Sequence, residues 1–169
     1  MNIEEFIRTI PNFPKEGISY KDITPLLQNP QALDFCVKKF AEKINTEVDV
    51  IVGIESRGYF FATLLAKHFN AGFVPIRKKG KLPYKTLQET YDLEYGQDIL
   101  EIHEDAIKAG QKVLIHDDVL ATGGTAKAAC NLVERLGGEI IQCNFLIELS
   151  FLDGRKKLVP NKVNSLITY

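Results

Sequence analysis

Apolar residues recur at helical spacing twice in the first 45 positions of the chain. Ile3, Phe6, Ile7 and Ile10 lie three or four residues apart, which predicts a helix over 3–10 that Pro11 and Pro14 stop. Leu33, Val37, Phe40 and Ile44 repeat the pattern and predict a second helix over about 30–45. The pattern then changes. Val48-Asp49-Val50-Ile51-Val52-Gly53-Ile54 is a short β-branched run, as expected of a strand buried on both faces. A polar turn, Glu55-Ser56-Arg57-Gly58, leads into an apolar helix over 59–69, and a second strand follows over 72–76. Beyond it lies a basic stretch, Arg77-Lys78-Lys79-Gly80-Lys81-Leu82-Pro83. Alternation over 91–103 predicts a two-stranded ribbon turning at Gly96-Gln97. Residues 112–116 form a third buried-type strand that ends in Asp117-Asp118 and a loop. A helix over about 125–136, closed by Gly137-Gly138, and a fourth strand over 140–149 complete the pattern.

Strands alternating with helices predict an α/β domain with a mostly parallel central sheet flanked by helices and right-handed crossovers. No repeat, low-complexity tract or linker divides the chain, so residues 1–169 read as one domain. Ligands of such sheets bind beyond the carboxyl ends of the strands. The loops after Ile54 and after His116 are the two candidates there.

Composition narrows the chemistry. Hydrophobic residues make up 45% of the chain and charged residues 25%, as in globular proteins, and the formal net charge is -1. No global field draws the chain to nucleic acid or to an anionic membrane, so any phosphate chemistry must come from a local site. Glu4, Glu5 and Arg8 interrupt the apolar start, which is read as neither a signal nor a transit peptide. No stretch approaches the roughly 18 apolar residues that a membrane crossing needs. Cys36, Cys130 and Cys143 form no CxxC and read as buried small hydrophobes in a reducing, cytoplasmic setting.

The most informative stretch is Asp117-Asp118-Val119-Leu120-Ala121-Thr122-Gly123-Gly124-Thr125. Paired glycines let the backbone turn tightly and aim several N–H groups into one hollow, and the helix that follows adds its positive end. Thr122 and Thr125 supply hydroxyls. Such a nest suits a phosphate monoester. The two acids would repel that phosphate unless a sugar lay between, offering vicinal hydroxyls that carboxylates accept. Magnesium with retained waters can share that work. The reading is a ribose 5-phosphate site, set against the plainer one of an Asp pair capping a turn and glycines that bend the chain. Neither GxxxxGK[ST] nor GxGxxG occurs, so the triphosphate and dinucleotide loops are not supported.

With these residues in view, the chain resembles the type I phosphoribosyltransferases and, among them, those that use adenine. The resemblance rests on Phe13-Pro14-Lys15-Glu16-Gly17-Ile18-Ser19-Tyr20-Lys21-Asp22-Ile23-Thr24, Gly53-Ile54-Glu55-Ser56-Arg57-Gly58, the basic stretch, Glu89-Thr90-Tyr91-Asp92-Leu93-Glu94-Tyr95-Gly96 and the acid-to-TGGT loop, in the family's order. It implies transfer of the 5-phosphoribosyl group of PRPP (5-phosphoribosyl-1-pyrophosphate) to N9 of adenine, giving AMP and pyrophosphate, with Mg2+ bound mainly through PRPP and water. It implies a small N-terminal hood over about 1–30, a mobile lid over about 79–95, and a homodimer. Asp117, Asp118, Ala121, Thr122, Gly123, Gly124 and Thr125 would hold the ribose phosphate. Glu55, Ser56, Arg57, Arg77 and Lys81 would hold pyrophosphate, with Arg57 and Glu94 catalytic and Glu94 facing the base as proton acceptor. Ile18, Tyr20 and Lys21 would bind the base, Lys21 standing where many relatives have Arg, and Tyr95 would cover the sugar. His116 reads as a satisfied sheet histidine and His68 as an ordinary helix residue, while His103 could reach a neighbouring subunit's site in a dimer. The rivals are a phosphoribosyltransferase for hypoxanthine, guanine, xanthine or orotate, and a non-catalytic PRPP sensor that binds nucleic acid.

Overall fold

The first two strands stand apart from the main sheet. In the computed structural model, which describes residues 1–92 and 96–169, β1 (Arg8–Pro11) and β2 (Ser19–Asp22) form an antiparallel hairpin. The helix expected over 3–10 is therefore confined to one 3-10 turn, Ile3–Phe6, capped by the Asn2 side chain. The apolar spacing was compatible with a helix, but Thr9 and Ile10 gain a ladder against Lys21 and Tyr20 that a short isolated helix lacks. A turn of helix, α1 (Thr24–Leu27), leads to α2 (Pro30–Ala41). Asn29 caps α2 by accepting the Ala32 N–H at 3.0 Å, and Pro30 occupies its first turn. The helix ends at Ala41 rather than Asn45, because its last turn tightens to Lys43→Phe40 and Ile44→Ala41 bonds.

The main sheet begins with β3 (Val50–Ile54), followed by α3 (Gly58–Phe69) and β4 (Gly72–Lys78). β5 (Thr86–Asp92) and β6 (Gln97–His103) make the ribbon, and β7 (Lys112–Leu120), α4 (Gly124–Arg135), β8 (Glu139–Glu148) and β9 (Val163–Thr168) complete the order. The strands lie as β5-β6-β4-β3-β7-β8-β9, parallel from β4 to β9 and antiparallel in the ribbon arm. The β3 run is buried on both faces, as its composition required. Val50, Val52 and Ile54 pack toward Leu132 and Val133 of α4, and Ile51 packs toward Phe61 and Leu65 of α3. Val113 and Ile115 against Leu114 repeat the alternation on β7.

Two expectations are corrected here and one strand is added. β7 continues to Leu120, so Asp117 and Asp118 lie within a strand, not in a loop; β8 is long enough to pair with Asp117, Val119 and Leu120. The ribbon starts at Thr86, not Tyr91, since β6 finds a partner as far as His103. β9 was not foreseen, because Asn164 and Ser165 interrupt its apolar pattern. Replacing Phe61, fully buried between sheet and α2, by Ala should lower unfolding free energy by about 3–5 kcal/mol, read by denaturant titration.

Candidate active site

The turn between β7 and α4 is built for an anion. Gly123 takes φ 79°, a left-handed conformation that a side chain would strain, and α4 starts at the next residue with no side-chain cap. Its first-turn N–H groups are therefore left for a ligand. They face a recess of about 70 Å³ lined by Asp117, Leu120, Ala121, Thr122, Gly123 and Thr125 among others. Gly154 backs this turn so closely that a methyl there would collide with the Ala121 carbonyl and come within 2.9 Å of the Gly123 nitrogen.

The two acids have different surroundings. Asp117 borders the recess, and its Oδ1 accepts the Asp118 N–H at 2.9 Å. Gly58 lets α3 approach, since a Cβ there would lie 2.9 Å from Asp117 Oδ1. Asp118 is buried and ion-paired with Arg57. Burial, reinforced by the Asp118 charge, holds the Asp117 carboxyl well above the usual aspartate range. Burial also raises Asp118, while Arg57 pulls it back.

Arg57 does more than pair with Asp118. It donates to the Tyr20 hydroxyl and, at 3.0 Å, to the Lys21 carbonyl, and its guanidinium lies 5.0 Å from the Tyr20 ring centre. It precedes α3 without capping it, and the Glu55-Ser56 peptide just before it is cis. On the other side of that turn, Glu55 collects Arg77 (Nε to Oε2 at 3.3 Å), Lys81 and the Lys78 N–H at 3.0 Å. These contacts hold the Glu55 pKa down against its burial.

The hairpin places Tyr20 edge-on to Phe13, ring centres 5.1 Å apart. Ile18 spends its carbonyl on the Phe13 N–H at 3.2 Å. The Lys21 side chain turns away from Arg57, onto Thr9 Oγ1 at 3.1 Å and the Tyr169 ring at 3.8 Å, so only its main chain joins the Arg57 cluster. Tyr91 and Asp92 of β5 lie over the helix start, where a Cβ on Gly124 would sit 3.2 Å from the Asp92 carbonyl and 3.6 Å from Tyr91 Cδ2. Glu89 clasps β5 to α4 through Asn131 and Arg135, both at 2.8 Å. Glu94 and Tyr95 lie outside the described residues. His116 is fully buried between the rings of Phe40 and Phe61. Contrary to expectation, neither of its nitrogens has a hydrogen-bond partner among the described residues, and burial takes its pKa down to about 3. It is a neutral packing residue.

A recess at an uncapped helix start, with paired acids on the preceding strand, has counterparts in known proteins. The family model described as phosphoribosyl transferase domain matches residues 22–164. The adenine phosphoribosyltransferase of Christiangramia forsetii is 61% identical over 100% of this chain and 99% of its own length. That of Flavobacterium johnsoniae is 58% identical, with both chains covered in full at 100%. The chain belongs to the adenine phosphoribosyltransferases. The crystal structure of the Rhodothermus marinus adenine phosphoribosyltransferase superposes with a TM-score of 0.95 at 53% identity, covering 99% of this chain and 96% of that one. The Saccharomyces cerevisiae adenine phosphoribosyltransferase, complexed with adenine and an imino-altritol bisphosphate, gives 0.94 at 43% identity, with 97% and 96% covered.

Sequence reasoning missed Gly154 and the Glu89–Asn131–Arg135 clasp of this adenine phosphoribosyltransferase fold. Asp153-Gly154 could have been read as a turn, but nothing local links it to residues 121–123. The clasp joins positions more than 40 apart and has no sequence signal.

Replacing Arg57 by Met should cost about 3 kcal/mol at neutral pH, because it leaves Asp118 buried without its counter-ion. Both carboxyls titrate above the ordinary 3.8 in the folded chain, so the folded state holds protons more tightly than the unfolded chain. The deficit is therefore full above the raised folded pKa values and shrinks as pH falls toward 4, which denaturant titrations at several pH values would show.

Proposed function

We infer that this enzyme joins adenine, through N9, to the 5-phosphoribosyl group of PRPP, releasing pyrophosphate and leaving AMP for purine salvage. The observation that carries this reading is the uncapped recess of Ala121, Thr122, Gly123, Gly124 and Thr125 with Asp117 at its border. The 5-phosphate sits on the free N–H groups and threonine hydroxyls, and the ribose hydroxyls reach Asp117 and Asp118. That anchoring holds C1 against the base, so remote binding energy is used for orientation. As the C1–pyrophosphate bond loosens, the sugar gains positive character near the two acids, and Arg57, Arg77 and Lys81 face the departing negative charge. Arg57 also keeps a buried Nε–H without a partner among the described residues. Tyr20 packs the base under the hood, and Glu94 takes the proton that N9 releases.

Magnesium fits this donor set as an ion that arrives with its ligand. Among the described residues no group of three or more His, Cys, Asp or Glu side chains could hold a metal, whereas Asp117 borders a recess meant for phosphate and sugar oxygens. When bound, it supplies charge neutralisation on pyrophosphate. We further propose that residues 1–169 act as one unit, with the hood over about 1–30 and a lid over about 79–95. A homodimer is supported by Phe60 and Leu64 on α3, 45% and 38% exposed. A cytoplasmic site agrees with three free, buried cysteines.

The test is incubation with PRPP, magnesium and each nucleobase in turn. AMP from adenine alone is expected, and chelation of magnesium should abolish it. Product from another base would overturn the base assignment, and PRPP binding without any product would favour a sensor. Asp117→Asn combined with Asp118→Asn should cut turnover by at least about a hundredfold, measured well below the lowered thermal midpoint that loss of the Arg57 counter-ion brings; near-normal turnover would refute the ribose assignment.

A further inference from the structure

Glu55 stands where the proposed function calls for cations, and a carboxylate repels a polyanion. Its side chain is only 9% exposed. It is also rigidly held, since its own N–H bonds to the Ile76 carbonyl at 2.9 Å and its Oε2 accepts the Lys78 N–H at 3.0 Å. Arg77 approaches with Nε at 3.3 Å and Nη2 at 3.4 Å, and the Lys81 ammonium touches Oε1. Arg77 Nη1 then donates to the Lys81 carbonyl at 3.0 Å, closing the cluster. The donors that suit a pyrophosphate thus already converge on one anion belonging to the protein. The carboxylate is the fixed member. The cations, with side chains 35% and 47% exposed, are the movable ones.

We propose that Glu55 is a resident competitor for the pyrophosphate-binding cations: it holds Arg77 and Lys81 in the empty enzyme, yields them to the polyanion, and reclaims them as pyrophosphate leaves. This rests on the phosphoribosyl-transfer reading above. Glu55 is then a positioning residue that acts through Arg77 and Lys81 without touching substrate. It stores the two side chains near their working place, and it weakens product binding by the strength of the contacts that pyrophosphate must break. A purely supporting role would have the opposite sign, since a support that is removed leaves the cations less well aimed.

Product inhibition by pyrophosphate separates the two. Wild-type enzyme is first shown to make AMP; failure there would sink the functional reading and say nothing of Glu55. The inhibition constant of pyrophosphate against PRPP is then measured for Glu55→Gln, which keeps the acceptor for the Lys78 N–H. The constant should fall about three- to tenfold, the scale of losing partly exposed ion pairs, with the KM for adenine unchanged. Combining the change with Lys81→Met should remove most of that gain. An unchanged or higher constant in Glu55→Gln overturns the proposal, as does a gain that persists in full without Lys81. If Glu55→Gln does not fold, Glu55→Asp, which withdraws the carboxylate by one methylene, must lower the constant in the same direction, and a rise or no change there is equally decisive.

Discussion

The Arg57 guanidinium ties together two separate sheets, the hairpin and the main sheet, at the site. It sits at the start of α3, pairs with Asp118 on β7, and reaches up to Tyr20 and the Lys21 carbonyl on the hairpin. A cation at a helix N-terminus opposes the helix dipole, so alone it would be poorly placed. Asp118 offsets that penalty, and Arg57 in turn offsets the burial of Asp118. Neither charge is comfortable without the other. The hairpin thus gains a charged anchor in the same strand that carries the two acids, and hairpin and recess are brought into one frame.

Much of this is legible in the sequence. The β-branched runs at 50–54 and 112–116 announced buried parallel strands, because a strand covered on both faces has no polar side to show. The Gly-Gly turn was equally plain, since local backbone chemistry sets it. What escaped depends on partners distant in sequence. Residues 8–11 carry a helix-compatible spacing, yet pairing with 19–22 decides their state. Asp117 and Asp118 look like strand-end loop residues, yet pairing of Asp117, Val119 and Leu120 with β8 carries the strand past both. Gly154 matters only because the chain returns to lie against Ala121. The Lys21 side chain had a plausible base-facing role, but Thr9 and Tyr169 hold it elsewhere.

Charge in the site is organised as local cancellation. The chain as a whole carries a formal charge of -1, and the turn over 121–125 contains no Lys or Arg. Its attraction for anions comes from backbone dipoles, which need no counter-ion when the cradle is empty. The side-chain cations are instead kept beside carboxylates, Arg57 with Asp118 and Arg77 with Glu55. An anion entering the recess therefore meets a preformed surface, while the cations beside Glu55 are already engaged.

The ribbon arm brings a mechanical consequence. β6 pairs with β5 along its whole length, while its ladder to β4 is short, Glu101 opposite Arg77 and Leu100 opposite Lys78, reinforced by the Lys78–Asp98 ion pair at 3.0 Å. The arm is stiff in itself, and it is seated by buried Leu100 and Ile102 and by the Glu89 clasp on α4. Because the ribbon is laddered throughout, the place of Tyr91 and Asp92 over the start of α4 is set at its root and by the clasp. Stiffness within the arm is what carries that placement along β5.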